Sequence, residues 1–181
     1  MNEIIINSNN LKEDEILQKE KVRALLFDEN NCIIVGNYNN LYLLPGGKID
    51  KNESLKEGLI RELEEELGTT FTEENLEYFM TLKHFQKDFP SRKGGSMDRL
   101  VTTHFYTGFL SIDLKTIKNN LSLNEQKGNF SLEYINLDDL EDEILTYKTS
   151  NPRAPFFNTE LLTVLFEINK KENLKRRIRS K

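Results

Sequence analysis

The sequence predicts a single α/β domain over residues 1–181. Short runs of aliphatic, β-branched and aromatic residues, typical of strands, alternate with three stretches whose apolar residues recur at helical spacing. The length suits one sizeable hydrophobic core. No internal repeat or domain boundary divides the chain, so we expect the predicted elements to pack together.

The N-terminal part of the chain is predicted to be mostly extended. Residues 1–19 should form a short apolar strand and a loosely held arm. Further strands at residues 21–27 and 32–35 are separated by an Asp- and Asn-rich turn, which favours a hairpin. Residues 41–44 form another extended run, and Pro45 ends it.

A turn and a helix follow Pro45. Gly46 and Gly47 allow the backbone to bend sharply and to approach a ligand closely. Asn52 or Ser54 can cap the helix and Gly68 can end it, which predicts a helix over residues 54–67. Its apolar side chains form one arc that should face the core: Leu55, Leu59, Ile60, Leu63 and Leu67.

Three glutamates of this helix, Glu62, Glu65 and Glu66, stand at i, i+3 and i+4, so their carboxylates should converge on one patch. Glu66 falls inside the edge of the apolar arc and Glu62 flanks it, whereas Glu64 points to the far side. Like charges at this spacing repel, and partial burial raises the cost. An acidic, solvated face is the simple interpretation. The Gly-Gly turn and the half-buried placement instead favour a divalent cation, since Mg²⁺ prefers a few carboxylates with water and phosphate oxygens.

The rest of the chain continues the alternation. Residues 77–88 and 97–110 are predicted strands of a hairpin with a Gly-rich, basic tip. Such a tip can bind phosphate, so Arg92 and Lys93 are candidate substrate contacts, with a solvated tip as the alternative. The last elements are predicted at residues 129–135 (strand), 138–147 (acidic helix), 159–171 (helix capped by Asn158 or Thr159) and 172–181 (a basic, fraying end).

The segment from Gly47 to Thr69 resembles the Nudix box, G-x(5)-E-x(7)-R-E-U-x-E-E-x-G-U, in which U is an aliphatic residue. Gly47, Glu53 and the run RELEEELG that starts at Arg61 match every fixed glycine and polar position. Thr69 departs from the pattern, but threonine is β-branched and can pack. The resemblance implies an α/β/α sandwich with a mixed β-sheet between helices. It also implies hydrolysis of a nucleoside diphosphate linked to another group.

The resemblance places a Mg²⁺ or Mn²⁺ site on four residues: Gly47 (through its carbonyl), Glu62, Glu65 and Glu66. It also implies that Arg61 pairs with Glu53. That ion pair would hold the loop against the helix and orient Glu65.

The general base has several candidates. Glu65 is the first, because a box glutamate serves in some relatives. Glu125, in the loop before the strand at residues 129–135, is the best distant candidate, with Glu133 behind it. His84 and His104 lie on predicted strands, where a histidine is more often structural.

A nucleobase would need an aromatic platform, and aromatic residues on strands are mostly core residues. The candidates are Tyr42, Phe85, Phe89 and Tyr106. The predicted partner is a small-molecule substrate of nucleotide type. The box would handle the diphosphate and does not define the attached groups.

Composition narrows the location and the partners. The only cysteine, Cys32, excludes an internal disulfide and fits a reducing compartment. The sequence shows no signal peptide and no apolar run of about 20 residues, so we expect a cytoplasmic protein without a membrane partner. The tail from Lys170 is basic while the net charge is −5, and the tail lacks interleaved aromatics, which argues against a nucleic-acid partner. The sequence leaves open whether the protein forms a homodimer.

Two other functions remain as alternatives. One is a catalytically silent nucleotide-sensing domain with the same fold, although the box has lost none of its carboxylates. The other is an isomerase of prenyl diphosphates, which would need a reactive cysteine near the metal. Cys32 lies well before the box.

Overall fold

A computed structural model describes residues 2–38, 41–91, 93–110, 112–114 and 130–179, the last eight of these by their backbone alone. They form a seven-stranded mixed sheet in the order β1-β5-β6-β2-β3-β4, with β7 paired to β3. The strands are β1 (Glu3–Ile6), β2 (Leu17–Phe27), β3 (Cys32–Asn37), β4 (Tyr42–Leu43), β5 (Glu77–Pro90), β6 (Ser96–Phe109) and β7 (Ser131–Asn136). The helices are α1 (Leu55–Leu67), α2 (Leu137–Thr146) and α3 (Ala154–Arg179).

Part of one edge of the central strand β2 is paired with a loop instead of a strand. It runs parallel to β6 along its whole length, but it pairs with β3 only at Phe27 and Ile33. The segment after β4 fills the remaining edge. The amides of Val22 and Ala24 donate to the carbonyls of Gly47 (3.0 Å) and Pro45 (2.9 Å). The Gly-Gly turn is therefore fixed in register against β2.

Each face of the sheet is covered by helices. On one face, Val22, Ala24 and Leu26 of β2 belong to the same buried cluster as residues of α1. On the other, Leu25 belongs to a cluster that includes residues of β5, β6, α2 and α3. This arrangement confirms the predicted α/β/α sandwich with a mixed sheet.

The N-terminal residues and β2 are better anchored than the sequence suggested. Strand β1 pairs in parallel with β5, and Asn2 donates to Glu167 of α3 (3.3 Å). Strand β2 begins at Leu17, four residues before the predicted start. The predicted start was late because residues 17–20 are mostly polar, and their pairing with β6 depends on a distant segment.

The predicted start and cap of the last helix were wrong. Helix α3 begins at Ala154 instead of Thr159, and Pro155 lies in its first turn, where proline needs no amide partner. Just before the helix, the side chain of Asn151 accepts from the amide of Arg153 (3.0 Å). Thr159 lies inside the helix and donates to the carbonyl of Pro155 (2.7 Å). Within the described ranges, no helix has both the length and the apolar character needed to cross a membrane.

Candidate functional site

The ends of α1 follow the sequence closely. Ser54 is the N-cap: its hydroxyl accepts from the amide of Glu57 (3.2 Å), and the Glu57 carboxylate accepts from the amide of Ser54 (2.7 Å). Gly68 ends the helix in the left-handed region, with φ of 60°. Of the two predicted caps, the structure therefore uses Ser54, and the helix is held rigidly at both ends.

The Gly-Gly turn lies between β2 and the carboxylates of α1. Gly46 has φ of 121°, and a Cβ added there would lie 2.4 Å from the carbonyl oxygen of Val22. Its amide donates to Oε2 of Glu66 (2.8 Å). A Cβ added to Gly47 would lie 2.2 Å from the carboxylate carbon of Glu62. Gly46 thus requires glycine, because of its positive φ and the nearby backbone of Val22, whereas a side chain at Gly47 would displace the Glu62 carboxylate.

Arg61 links the loop to the helix. It donates to both carboxylate oxygens of Glu53, from Nη2 at 2.8 Å and from Nε at 3.1 Å. Its Nη2 also donates to the carbonyl of Lys48 (3.1 Å). The pairing of Arg61 with Glu53 thus occurs in the structure. Hydrogen bonds from Arg61 lower the pKa of Glu53, and those same bonds raise the pKa of the Arg61 guanidinium.

The three glutamates of the predicted metal patch differ in exposure. Glu66 is buried, the side chain of Glu62 is 14% exposed and that of Glu65 is 42% exposed. Nη1 of Arg61 lies 3.0 Å from Glu62 and 3.4 Å from Glu65. Burial raises the pKa of Glu62, and the hydrogen bond from Arg61 opposes that rise. The predicted burial of Glu66 beside the apolar arc and the exposure of Glu64 are both observed.

The donor set fits a hard divalent cation. Three carboxylates and the carbonyl of Gly47 are oxygen ligands of the kind that Mg²⁺ and Mn²⁺ take. The Glu62 carboxylate lies against Gly47 in the space a Cβ would fill. In the described part of the chain, no three His, Cys, Asp or Glu side chains are already grouped to hold a metal ion. Binding a cation would therefore require carboxylates that now contact Arg61 and the Gly46 amide to reorient.

The other predicted site residues that the structure describes do not join this cluster. Tyr42 and Phe85 are each 8% exposed, and the ring of Tyr42 packs on Tyr147 at 5.0 Å between centroids. Base stacking on either ring would require a side chain to move. Lys93 lies at the exposed tip between β5 and β6, where its amide donates to the hydroxyl of Ser91 (3.2 Å). Arg92 and Glu125 lie outside the described residues.

The remaining aromatic and base candidates are also occupied or buried. The guanidinium of Arg99 covers the ring of Phe89 at 3.2 Å, and burial lowers the pKa of Arg99 to about 10. Tyr106 packs edge-on against Tyr78 at 5.6 Å. Two further base candidates are also engaged: His84 is buried beside Gln86, and burial raises the pKa of Glu133 on β7. These contacts suit structural roles.

Sequence reasoning missed three residues around the site. Arg23 is buried on β2, and its Nη1 donates to the carbonyls of Leu44 (2.7 Å) and Gly46. Oε1 of Glu160, on α3, lies 4.0 Å from Nε of the same guanidinium. Gly58, inside α1, leaves room for Glu53. The available signals were a charge near the start of the apolar run VRALLF and a glycine within a helix.

The fold and this cluster define a class of protein: an α/β/α sandwich that carries a glycine turn, an arginine–glutamate pair and a glutamate-rich helix. The model of the NUDIX domain matches residues 17–159. The chain belongs to the NUDIX domain family.

Curated relatives and solved structures agree with this family. RNA pyrophosphohydrolases of Campylobacter jejuni strains are 46% identical over 54 residues, which is 30% of this chain and 33% of theirs. The match thus spans about a third of their length. The NUDIX domain of Shewanella oneidensis NrtR, complexed with ADP ribose, superposes with a TM-score of 0.54 at 18% identity, covering 90% of this chain and 94% of that one. The MutT NUDIX hydrolase of Burkholderia pseudomallei gives 0.50 at 18%, covering 67% and 84%. At these identities the structural likeness concerns the fold.

Proposed function

We propose that this protein hydrolyses the diphosphate linkage of a nucleotide derivative with a divalent cation, by attack of water on phosphorus. The observation that carries the proposal is the cluster on α1, in which Glu66 accepts from the Gly46 amide, Glu62 lies against Gly47 and Arg61 joins Glu62 to Glu65. The relatives named as RNA pyrophosphohydrolases support cleavage of a pyrophosphate linkage, and the related domain complexed with ADP ribose supports a small-molecule substrate of nucleotide type. The lone cysteine agrees with a cytoplasmic setting.

The cation, Mg²⁺ or Mn²⁺, is proposed to bind Glu62, Glu65, Glu66 and the carbonyl of Gly47. When bound, it supplies neutralisation of the phosphate charge and a more acidic water. The burial of Glu62 and Glu66 favours binding, because a buried carboxylate gains most from a cation beside it. The negative charges of the three carboxylates balance the two positive charges of the cation, so the proposed binding site includes no further acidic residue.

Glu65 is the proposed general base. It is the most exposed of the three glutamates, so a water molecule can reach its carboxylate. Water forms the new O–P bond, its proton passes to Glu65, and the bridging P–O bond breaks to release two products that each end in phosphate. Arg61 restrains Glu65 at 3.4 Å, and Glu53 in turn fixes Arg61. Glu125 is the alternative base in this proposal.

The test uses the purified chain and a panel of nucleoside diphosphate derivatives, with and without Mg²⁺. Glu65→Gln should lower kcat by about a hundredfold or more, because it removes a base or a ligand. Glu64→Gln, on the exposed face of the same helix, is the matched control and should keep its turnover. A modest loss in Glu65→Gln would move the base, and Glu125→Gln would be tested next.

The same panel separates the enzyme from a nucleotide-sensing domain. A sensing domain would bind a nucleotide from the panel, such as ADP ribose, and show no metal-dependent turnover on any member. That result would overturn the hydrolase proposal. The related domain complexed with ADP ribose makes the binding measurement a necessary part of the panel.

A further inference from the structure

We infer that Arg23, held by Glu160, is a positioning residue that sets the Gly46–Gly47 turn for cation binding. The inference rests on the proposed function, because the cation is part of it. It concerns residues outside the box: Arg23 comes from β2 and Glu160 from α3.

The side chain of Arg23 binds the backbone of the turn. The side chain is buried, and Nη1 donates to the carbonyls of Leu44 (2.7 Å) and Gly46. The first carbonyl belongs to the Leu44–Pro45 peptide and the second to the Gly46–Gly47 peptide, so a single guanidinium nitrogen fixes the orientation of the first and third peptides of the turn. A lysine could supply the charge, but it lacks the planar guanidinium whose Nε faces Glu160 while Nη1 binds the turn. Arg23 therefore determines where the carbonyl of Gly46 points.

The same glycine is fixed from its other side by a proposed ligand. The Gly46 amide donates to Oε2 of Glu66 (2.8 Å), and the next carbonyl, that of Gly47, accepts from Val22 (3.0 Å). Gly46 has φ of 121° and lies directly against the backbone of Val22. Because the turn is this tightly packed, a change at Arg23 is transmitted to Glu66 and Gly47, which are both proposed ligands.

Glu160 explains why the positively charged side chain of Arg23 can be buried here. Its Oε1 lies 4.0 Å from Nε of Arg23, its Oε2 accepts from Thr103 (3.2 Å), and it is 7% exposed. Nε of Arg23 has no hydrogen-bond partner among the described residues. A buried arginine without a nearby carboxylate would be strongly unfavourable. Thus α3, on the face opposite α1, contributes the charge that keeps Arg23 in place.

The main test variant is the neutral pair Arg23→Met/Glu160→Leu, which leaves no unpaired buried charge. Leu140→Ala is the matched control, because Leu140 is fully buried on α2, outside β2 and the turn, and its truncation lowers stability while Arg23 and Glu160 stay in place. Arg23→Lys is the conservative variant, and it also serves if the double variant does not fold. The readouts are the Kd for Mn²⁺ without substrate, measured by electron paramagnetic resonance, the Tm, and amide hydrogen exchange at Gly46.

We expect the double variant to bind Mn²⁺ at least fivefold more weakly, Arg23→Lys to fall between it and the native chain, and Leu140→Ala to stay within twofold despite a lower Tm. Native-like Mn²⁺ binding in the double variant, or in Arg23→Lys if only that variant folds, would overturn the inference. If the native chain binds no Mn²⁺, the proposed function fails instead. In that case, amide hydrogen exchange at Gly46 tests the positioning role by itself. Faster exchange in the Arg23 variants than in Leu140→Ala supports this role, and equal exchange overturns it.

Discussion

Gly58→Ala should destabilise this protein, although the same change inside most helices is stabilising. Alanine in a helix interior is favoured over glycine by about 1 kcal/mol. In α1, however, a Cβ on residue 58 would lie 2.8 Å from Oε1 of Glu53 and 2.9 Å from Cδ1 of Ile49. Both neighbours belong to the loop that precedes the helix. The added methyl must therefore push the loop, or the Glu53 carboxylate, away from α1.

The magnitude follows from what Glu53 would lose. Its two hydrogen bonds to Arg61 join side chains that are 16% and 31% exposed, so solvent screens the pair only in part. Weakening a charged pair of this kind costs about 1–2 kcal/mol. Overpacking against the loop adds about 1–2 kcal/mol. After the propensity gain, we expect the free energy of unfolding to fall by about 1–3 kcal/mol.

Urea unfolding of four variants measures this effect. Glu64→Ala, on the exposed face of the same helix, should change the free energy of unfolding by less than about 0.5 kcal/mol. In a Glu53→Ala background the carboxylate that meets the new methyl is absent and only the contact with Ile49 remains, so Gly58→Ala should cost less than in the native background. If Gly58→Ala in the native background raises the free energy of unfolding by about 1 kcal/mol, the reasoning is refuted, because the added Cβ would then not disturb Glu53.

Three further predictions concern the cap, the ion pair and the thiol. Ser54→Ala should lower the free energy of unfolding by about 1 kcal/mol in urea, because the capping box is lost; an unchanged value would mean that another cap replaces it. The lowered pKa of Glu53 means that its stabilisation is present above the carboxyl's unfolded pKa and is lost as pH falls through the folded value, so Glu53→Gln should flatten the acid side of a stability–pH curve. Alkylation of Cys32, whose thiol pKa is raised by burial and whose sulfur lies 3.9 Å from the carbonyl of Asn30, should leave hydrolysis unchanged, whereas an isomerase would lose activity.

Much of the secondary structure could be predicted from local sequence. The hairpin of β5 and β6, the strand β7 and the helix α2 occur within a few residues of their predicted positions. The Asp28 turn also forms, because its carboxylate accepts from the amides of Asn30 (2.9 Å) and Cys32 (2.8 Å). The pairing of β2 could not be predicted in this way. Its main partner is β6, about 80 residues away, and strand pairing depends on contacts that no local pattern records.

The site shows the same division. The apolar arc, the caps and the glutamate spacing of α1 are local, and Glu62, Glu65 and Glu66 lie where helical periodicity puts them. The aromatic candidates Tyr42 and Phe85 were harder to judge, since their residue types suit both a core and a binding platform. Their burial was decided by neighbours from other parts of the chain, such as Tyr147 beside Tyr42.

By itself, the sequence determined the extent of α1, the face it buries and the convergence of its glutamates at i, i+3 and i+4. Those features depend on residues within about two helical turns of one another, where backbone geometry fixes which side chains meet. Only the tertiary structure decided that Arg23 donates to the turn and lies 4.0 Å from Glu160, and that Gly58 packs against the side chain of Glu53. These contacts join β2, α3 and the loop across the sheet, and their distances depend on strand order and packing.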